Sequence, residues 1–271
     1  MSIEAAVDAI VSGAADALKS LVNPELVRER SEKPHRATLL HYIAANGVED
    51  DRQKTPPNAV EIATILLRAG SEVDATAFMY GGEQTTMCML VSSAHPAKAG
   101  LQVALVDTLA DFGAAVDGAP LMTALAHGYG NAAQALVRRG SRVDNLAAAA
   151  GLGRFEDASR MLPDADAETR HRALALAAQH GHVEVVRLLL DAGEDPSRYN
   201  PRGYHAHSTP LHQAALAGHR AVVRLLVERG ARLDLRDSVY QGTPLGWAVH
   251  GGQQAIADYL RGLSTPHERT P

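Results

Sequence analysis

The chain is predicted to fold as an all-α solenoid of about seven helix-turn-helix units with hairpin fingers, behind an N-terminal helical cap. Three observations carry the prediction. Thr209-Pro210-Leu211-His212-Gln213-Ala214-Ala215, then Gly218-His219, then Val222-Val223-Arg224-Leu225-Leu226 spells a pair of short helices. The opening of that unit returns at a spacing of 34 as Thr243-Pro244-Leu245-Gly246-Trp247-Ala248, and its second half stands upstream as Gly181-His182-Val183 to Leu188-Leu189-Leu190 and Gly193. Composition agrees: 46% hydrophobic but only 4% aromatic, with abundant alanine, suits thin helices that stack closely.

Each part of the unit has a mechanical reason. Thr209 caps the first helix, and Pro210 takes its first position, where a missing N–H costs nothing. Leu211, Ala214 and Ala215 are small or apolar at helical spacing, so a neighbouring helix can approach. Gly218 ends the first helix, and Val222, Leu225 and Leu226 form the apolar stripe of the second. One unit cannot bury its own stripe, so copies are required on either side.

In chain order, residues 1–35 read as the cap: helical periodicity from Ile3 to Leu21, then a short polar helix at 24–30. Repeats occupy 36–263. Segments 38–47 and 60–70 form the first, 85–95 and 101–113 the second, 120–128 and 132–140 the third, and 145–162 the fourth, with the three clearer copies following. Residues 264–271 are polar and contain proline, the pattern of a flexible tail.

These units resemble the ankyrin repeat, whose signature is T-P-L-H-x-A at a period of about 33 residues. The resemblance implies stacked helix pairs, fingers projecting beside the first helices, and recognition of a partner, most often a protein, on the concave face. It also implies scaffold roles for His41 and His212, bonding the adjacent finger, and for His95, His182 and His219 at the Gly-His position.

Departures from the period point to function, because stacking needs no extra residues. Insertions lengthen the segments around 48–58 and 96–100, and the first is read as a solvated loop. The fingers at 77–84, 197–208 and 236–242 are enlarged and aromatic. Tyr80, Tyr199, Tyr204 and Tyr240 lie on them, and Tyr42 lies in a first helix. Tyr42, Met89, Thr123, Gln213 and Trp247 share one repeat position; Asn46, Ser93, His127 and His180 share another. The expected ligand-binding set is therefore Tyr42, Asn46, Tyr80, Met89, Tyr199, Gln213, Tyr240 and Trp247. Among 13 histidines, His127, His180, His205, His207 and His250 have no scaffold role to explain them. His205 and His207 form an H-x-H pair whose imidazoles share one side of an extended finger. With Tyr204, His127 and His180 they are the candidate catalytic acids and bases.

Several classes are excluded. A net charge of −5 offers no basic footprint for nucleic acid. No third ligand accompanies the His pair at metal-site spacing, and no cofactor motif, nucleophile elbow or phosphate loop occurs. Cys88, the single cysteine, reads as a small core residue. With no signal peptide pattern and no apolar run near 18 residues, a cytoplasmic location away from membranes is expected.

Two functions follow. The first is a binding protein that uses its concave face and its aromatic, His-rich fingers. The second comes from a whole-chain resemblance to stand-alone bacterial ankyrin proteins, among them ankyrin-like cyclases of actinobacterial polyketide biosynthesis, through His41-Tyr42, Arg52-Gln53-Lys54-Thr55, Tyr80-Gly81-Gly82, His205-Ala206-His207 and Gly246-Trp247-Ala248. It implies dehydration and Michael-type cyclisation of a polyketide-like substrate, and it transfers no catalytic residue.

Overall fold

The computed structural model describes residues 3–264; the tail expected at 264–271 lies outside them beyond Ser264. Two compact units meet in sequence between Arg142 and Val143.

The first unit opens with α1 (Ile3–Ser12) and α2 (Ala15–Leu21). The polar helix expected at 24–30 is one 3-10 turn, Leu26–Arg28, because Glu29 is already extended at ψ 144°. The first repeat begins with a second 3-10 helix, Leu39–Ala44, which Ala45 stops in the left-handed region at φ 47°. Its partner is α3 (Ala59–Arg68). Next come β1 (Thr76–Met79) and β2 (Gly82–Thr85), an antiparallel hairpin with Met79 opposite Gly82. Then follow α4 (Thr86–Val91), α5 (Ala94–Lys98), α6 (Gln102–Asp111), α7 (Ala119–Ala126) and α8 (Gly130–Arg138). The insertion near 96–100 forms the extra helix α5, which leaves His95 exposed rather than in the scaffold slot. The insertion near 48–58 docks instead of lying free in solvent. Arg52 pairs with Asp8 and Glu4 of α1, and the Gln53 amide donates to the Val48 carbonyl at 2.8 Å.

The second unit contains α9 (Leu146–Gly151), α10 (Phe155–Met161), α11 (Ala167–His180), α12 (Val183–Asp191), α13 (Pro210–Ala217), α14 (Arg220–Glu228), α15 (Pro244–His250) and α16 (Gln254–Ser264). First helices α9, α11, α13 and α15 pack in succession, and second helices α10, α12, α14 and α16 form a parallel row. Alanines at 149, 150, 173, 177, 178, 214 and 215 let the first helices approach, while Val185, Leu189, Val222 and Leu226 fill the space behind them. Burying each such valine or leucine is worth roughly 1.5–3 kcal/mol.

Only the finger at 76–85 is a β-hairpin among the described residues. The finger at 199–208 is closed by a bond from the Asn200 N–H to the Ser208 carbonyl, 2.8 Å, and the one at 236–242 by Asp237 N–H to Gly242 carbonyl, also 2.8 Å.

Candidate functional site

Histidine chemistry separates scaffold from site. In α13 the Thr209 N–H and hydroxyl both meet His212 Nδ1, at 3.3 and 2.8 Å. That nitrogen must accept from the backbone, so the proton sits on Nε2, which donates to the Gly242 carbonyl at 3.1 Å. His41 repeats the pattern on Thr38 and the Gln84 carbonyl. Burial drives its pKa down to about 4, and burial lowers His212 in the same direction. Two more rings span successive repeats: His182 donates to the Gly151 carbonyl, and His219 to that of Gln179. Sequence reasoning overlooked His171, which is buried in α11 and bonds the Tyr199 carbonyl at 2.7 Å.

The last repeat differs. Its finger folds around Asp237, which is fully buried. One carboxylate oxygen accepts the N–H groups of Val239 and Tyr240, at 3.0 and 2.6 Å; the other accepts Gly242 N–H at 2.7 Å and the Trp247 indole N–H at 2.9 Å. Burial alone would raise this carboxyl, but the four donors outweigh it and hold the pKa at about 2. Asp237 thus anchors both the finger and the indole. Trp247 meets the His212 edge at 5.2 Å and the tilted His207 ring at 5.7 Å.

Against the indole lies a cavity of about 550 Å³ lined by Leu216, Tyr240, Gly242, Gly246, Trp247 and His250. Gly246 stands where His212 stands one repeat earlier, and a Cβ built on it meets nothing nearer than Thr243 Oγ1 at 3.7 Å. The missing side chain is therefore part of the opening. Tyr240 closes one side from the finger tip, 77% exposed. Of this wall, Tyr240 and Trp247 were expected from sequence and His250 was singled out. Leu216, Gly242 and Gly246 were missed, although the T-P-L-G opening was a legible signal for the last.

The candidate acids and bases divide between places. His205 and His207 are edge to face at 5.9 Å, and His207 is edge to face with Tyr240 at 6.2 Å. His205 holds φ at 59° and its Nε2 lies 3.4 Å from the Gln179 amide. Tyr204 is half-buried under the Arg172 guanidinium, 5.1 Å from the ring centroid. Burial raises its phenol and Arg172 partly offsets the rise. His180 stacks on His182. The Tyr199 hydroxyl donates to the Arg236 carbonyl at 2.5 Å, and buried Gln213 donates to Ser208 Oγ at 2.9 Å.

The first unit has its own recess of about 470 Å³, with Asn46, Tyr80, Gln84, Cys88, Met89, Ser92, Thr123 and His127 in its wall. Tyr80 and Gly81 both take positive φ, 53° and 81°, the hairpin-turn geometry that a bulky ring seldom accepts. The strain aims the Tyr80 hydroxyl at Asn46 Oδ1, 2.6 Å, while the Asn46 amide donates to Ser92 Oγ and the Met89 carbonyl. Tyr42, expected as a groove wall, is only 1% exposed. Its hydroxyl donates to Glu49 at 3.2 Å, which also meets His35 Nε2 at 3.3 Å. Burial and the Glu49 charge push the Tyr42 phenol well up.

Among the described residues, no three metal-ligating side chains gather, and no helix is long and apolar enough to cross a membrane. Comparison with known families matches ankyrin repeats in three overlapping copies, at 97–200, 145–237 and 202–266. The chain belongs to the ankyrin-repeat family. Such repeats generally mediate protein–protein interaction. One relative is mouse (Mus musculus) ankyrin repeat and SAM domain-containing protein 6, 37% identical over 98 residues, covering 36% of this chain and 11% of that protein. Another is the putative E3 ubiquitin-protein ligase XBAT31 of Arabidopsis thaliana, 36% identical over 83 residues, 31% of this chain and 17% of the ligase. A third is an ankyrin repeat-containing protein of Schizosaccharomyces pombe, 39% identical over 62 residues, 23% and 28% of the two chains. The matches span less than a third of each relative's length.

Proposed function

We propose that this ankyrin-repeat chain is a recognition module that holds a protein partner on the finger side of its second unit, with the cavity beside Trp247 receiving one side chain of that partner. One observation carries the reading: the T-P-L-H position of the last repeat is glycine, and the space so left is a carbon-walled cavity beside a fixed indole. Its volume falls within the range of ligand sites, about 300–1,000 Å³. Tryptophan and tyrosine are also the side chains that most often dominate interfaces.

Selection from a displayed peptide library tests it, with the Gly246→His protein as the counter-selection. Peptides sharing one anchor residue should be retained by the native chain and lost by the variant. Equal retention by both would remove the cavity from the reading.

A second reading, acid–base cyclisation of a small polyketide-like substrate, is favoured by the close His205–His207 pair and by the left-handed backbone at His205. It ranks lower because neither histidine lines the cavity. Under it, His205→Ala abolishes turnover of a hydroxy-enone test substrate with thermal stability unchanged. Under the binding reading that variant leaves peptide retention intact.

A further inference from the structure

The carbon walls of the Trp247 cavity conceal an electrostatic preference. The indole N–H is committed to Asp237, so the ring brings π density to the cavity wall and no free donor. A carboxylate accepting that N–H pushes electron density into the indole and deepens the negative potential of its face. Asp237 remains an anion because three backbone N–H groups hold it in that state. Tyr240 adds a second aromatic ring. Among the described residues no lysine or arginine lines the space, and the Arg236 guanidinium on the same finger is bonded to the Gln241 carbonyl at 2.8 Å. Leu216, Gly242 and Gly246 make most of the remaining wall apolar, and the His250 imidazole is the other polar group on it. A cavity with two aromatic side chains, a buried anion at the edge of one of them and no lysine or arginine among the described residues of its wall is complementary to a positive charge wrapped in carbon.

We propose that the side chain taken by this cavity is an alkyl cation, the lysine- or arginine-type end of a basic segment in the partner. The inference rests on the binding reading above and narrows it. Recognition is by cation–π attraction to Trp247 and Tyr240, with the alkyl stem against Leu216 and the glycines. A neutral aliphatic group of the same shape keeps the apolar contact and loses the rest.

Trp247 is the single tryptophan of the chain, so its fluorescence reports on the cavity directly. The full chain is titrated with choline and with its neutral isostere 3,3-dimethylbutan-1-ol, at matched sodium chloride and mildly alkaline pH, which keeps imidazoles neutral. Choline should shift the emission saturably, with a midpoint about tenfold or more below that of the alcohol. Gly246→His should abolish the shift while circular dichroism stays native. Equal midpoints for the two probes would overturn the cation inference and leave an apolar anchor in place. No saturable change with either probe would overturn both the inference and the cavity's part in binding. Trp247→Phe, followed by ligand-detected NMR, supplies a check independent of fluorescence: choline binding should weaken several-fold and alcohol binding should barely change.

Discussion

Two neighbouring repeats open on almost the same words, T-P-L-H at 209–212 and T-P-L-G at 243–246, and their difference separates scaffold from site. In the first, an imidazole fills the space between helix and finger and bonds at both ring nitrogens. In the second, glycine leaves that space open, and the neighbouring side chain, tryptophan rather than the buried Gln213, is tied back to a buried aspartate. A motif position can therefore fill space in one copy and leave a cavity in the next, and it is the departure that locates the cavity.

The largest effect should come from breaking the scaffold side of the comparison. His212→Ala removes the ring from Thr209 and from the Gly242 carbonyl and leaves a void against Trp247. The expected loss is about 3 kcal/mol in denaturant unfolding of the second unit. A loss below about 1 kcal/mol would mean that the imidazole does not secure the finger.

Acidification probes the same bonds without mutation. His41 binds its proton at about pH 4 in the fold, against 6.5 for the ordinary side chain. Protonation thus favours the unfolded chain, and stability declines as pH falls from 6.5 towards 4, then levels off for this group. His41 alone contributes on the order of 3 kcal/mol to that decline. His182 and His212, also lowered by burial, add in the same direction. Replacing His41 with Gln should flatten the decline seen by urea unfolding between pH 7 and 4; an unchanged slope would remove His41 from the account.

On the site side, Asp237→Asn sets an amide NH₂ against N–H donors. A cost of about 2 kcal/mol is expected, together with a displaced Trp247 emission maximum. Gly242→Ala acts more gently through the same contact, since its Cβ would stand 2.9 Å from the indole Cδ1 and 3.1 Å from Asp237 Oδ2. It should cost about 1 kcal/mol and move the indole without removing its anchor. Native emission in both variants would show that Asp237 does not fix the ring.

The all-α solenoid was legible because its signals are local: a threonine cap, a proline at the first helical position, a terminating glycine and an apolar stripe. Tyr240 and Trp247 could be placed from repeat register alone. Asp237 could not. Its role depends on a finger curling until three backbone N–H groups and an indole converge on one carboxylate, a closure that periodicity does not encode. Tyr42 failed the other way, because register turns it towards a groove while the docked insertion supplies Glu49 and encloses it. The 48–58 segment read as solvated because its charges are mixed, and one of those charges, Arg52, is what holds it to α1 through Asp8 and Glu4.

The smallest change in stability should accompany the most informative substitution. Gly246→His rewrites the last repeat as T-P-L-H. Its Cβ enters open space, and replacing glycine inside a helix is favourable by roughly 0.5 kcal/mol, so unfolding should be neutral or slightly later. The new imidazole, by analogy with His212, can take Thr243 as its cap and would occupy the volume beside Trp247. If cavity and scaffold are alternative uses of one position, this variant folds as well as the native chain and loses its ligand. Retained binding with a native fold would place the site elsewhere on the fingers, with the Tyr80–Asn46 recess of the first unit the next region to mutate.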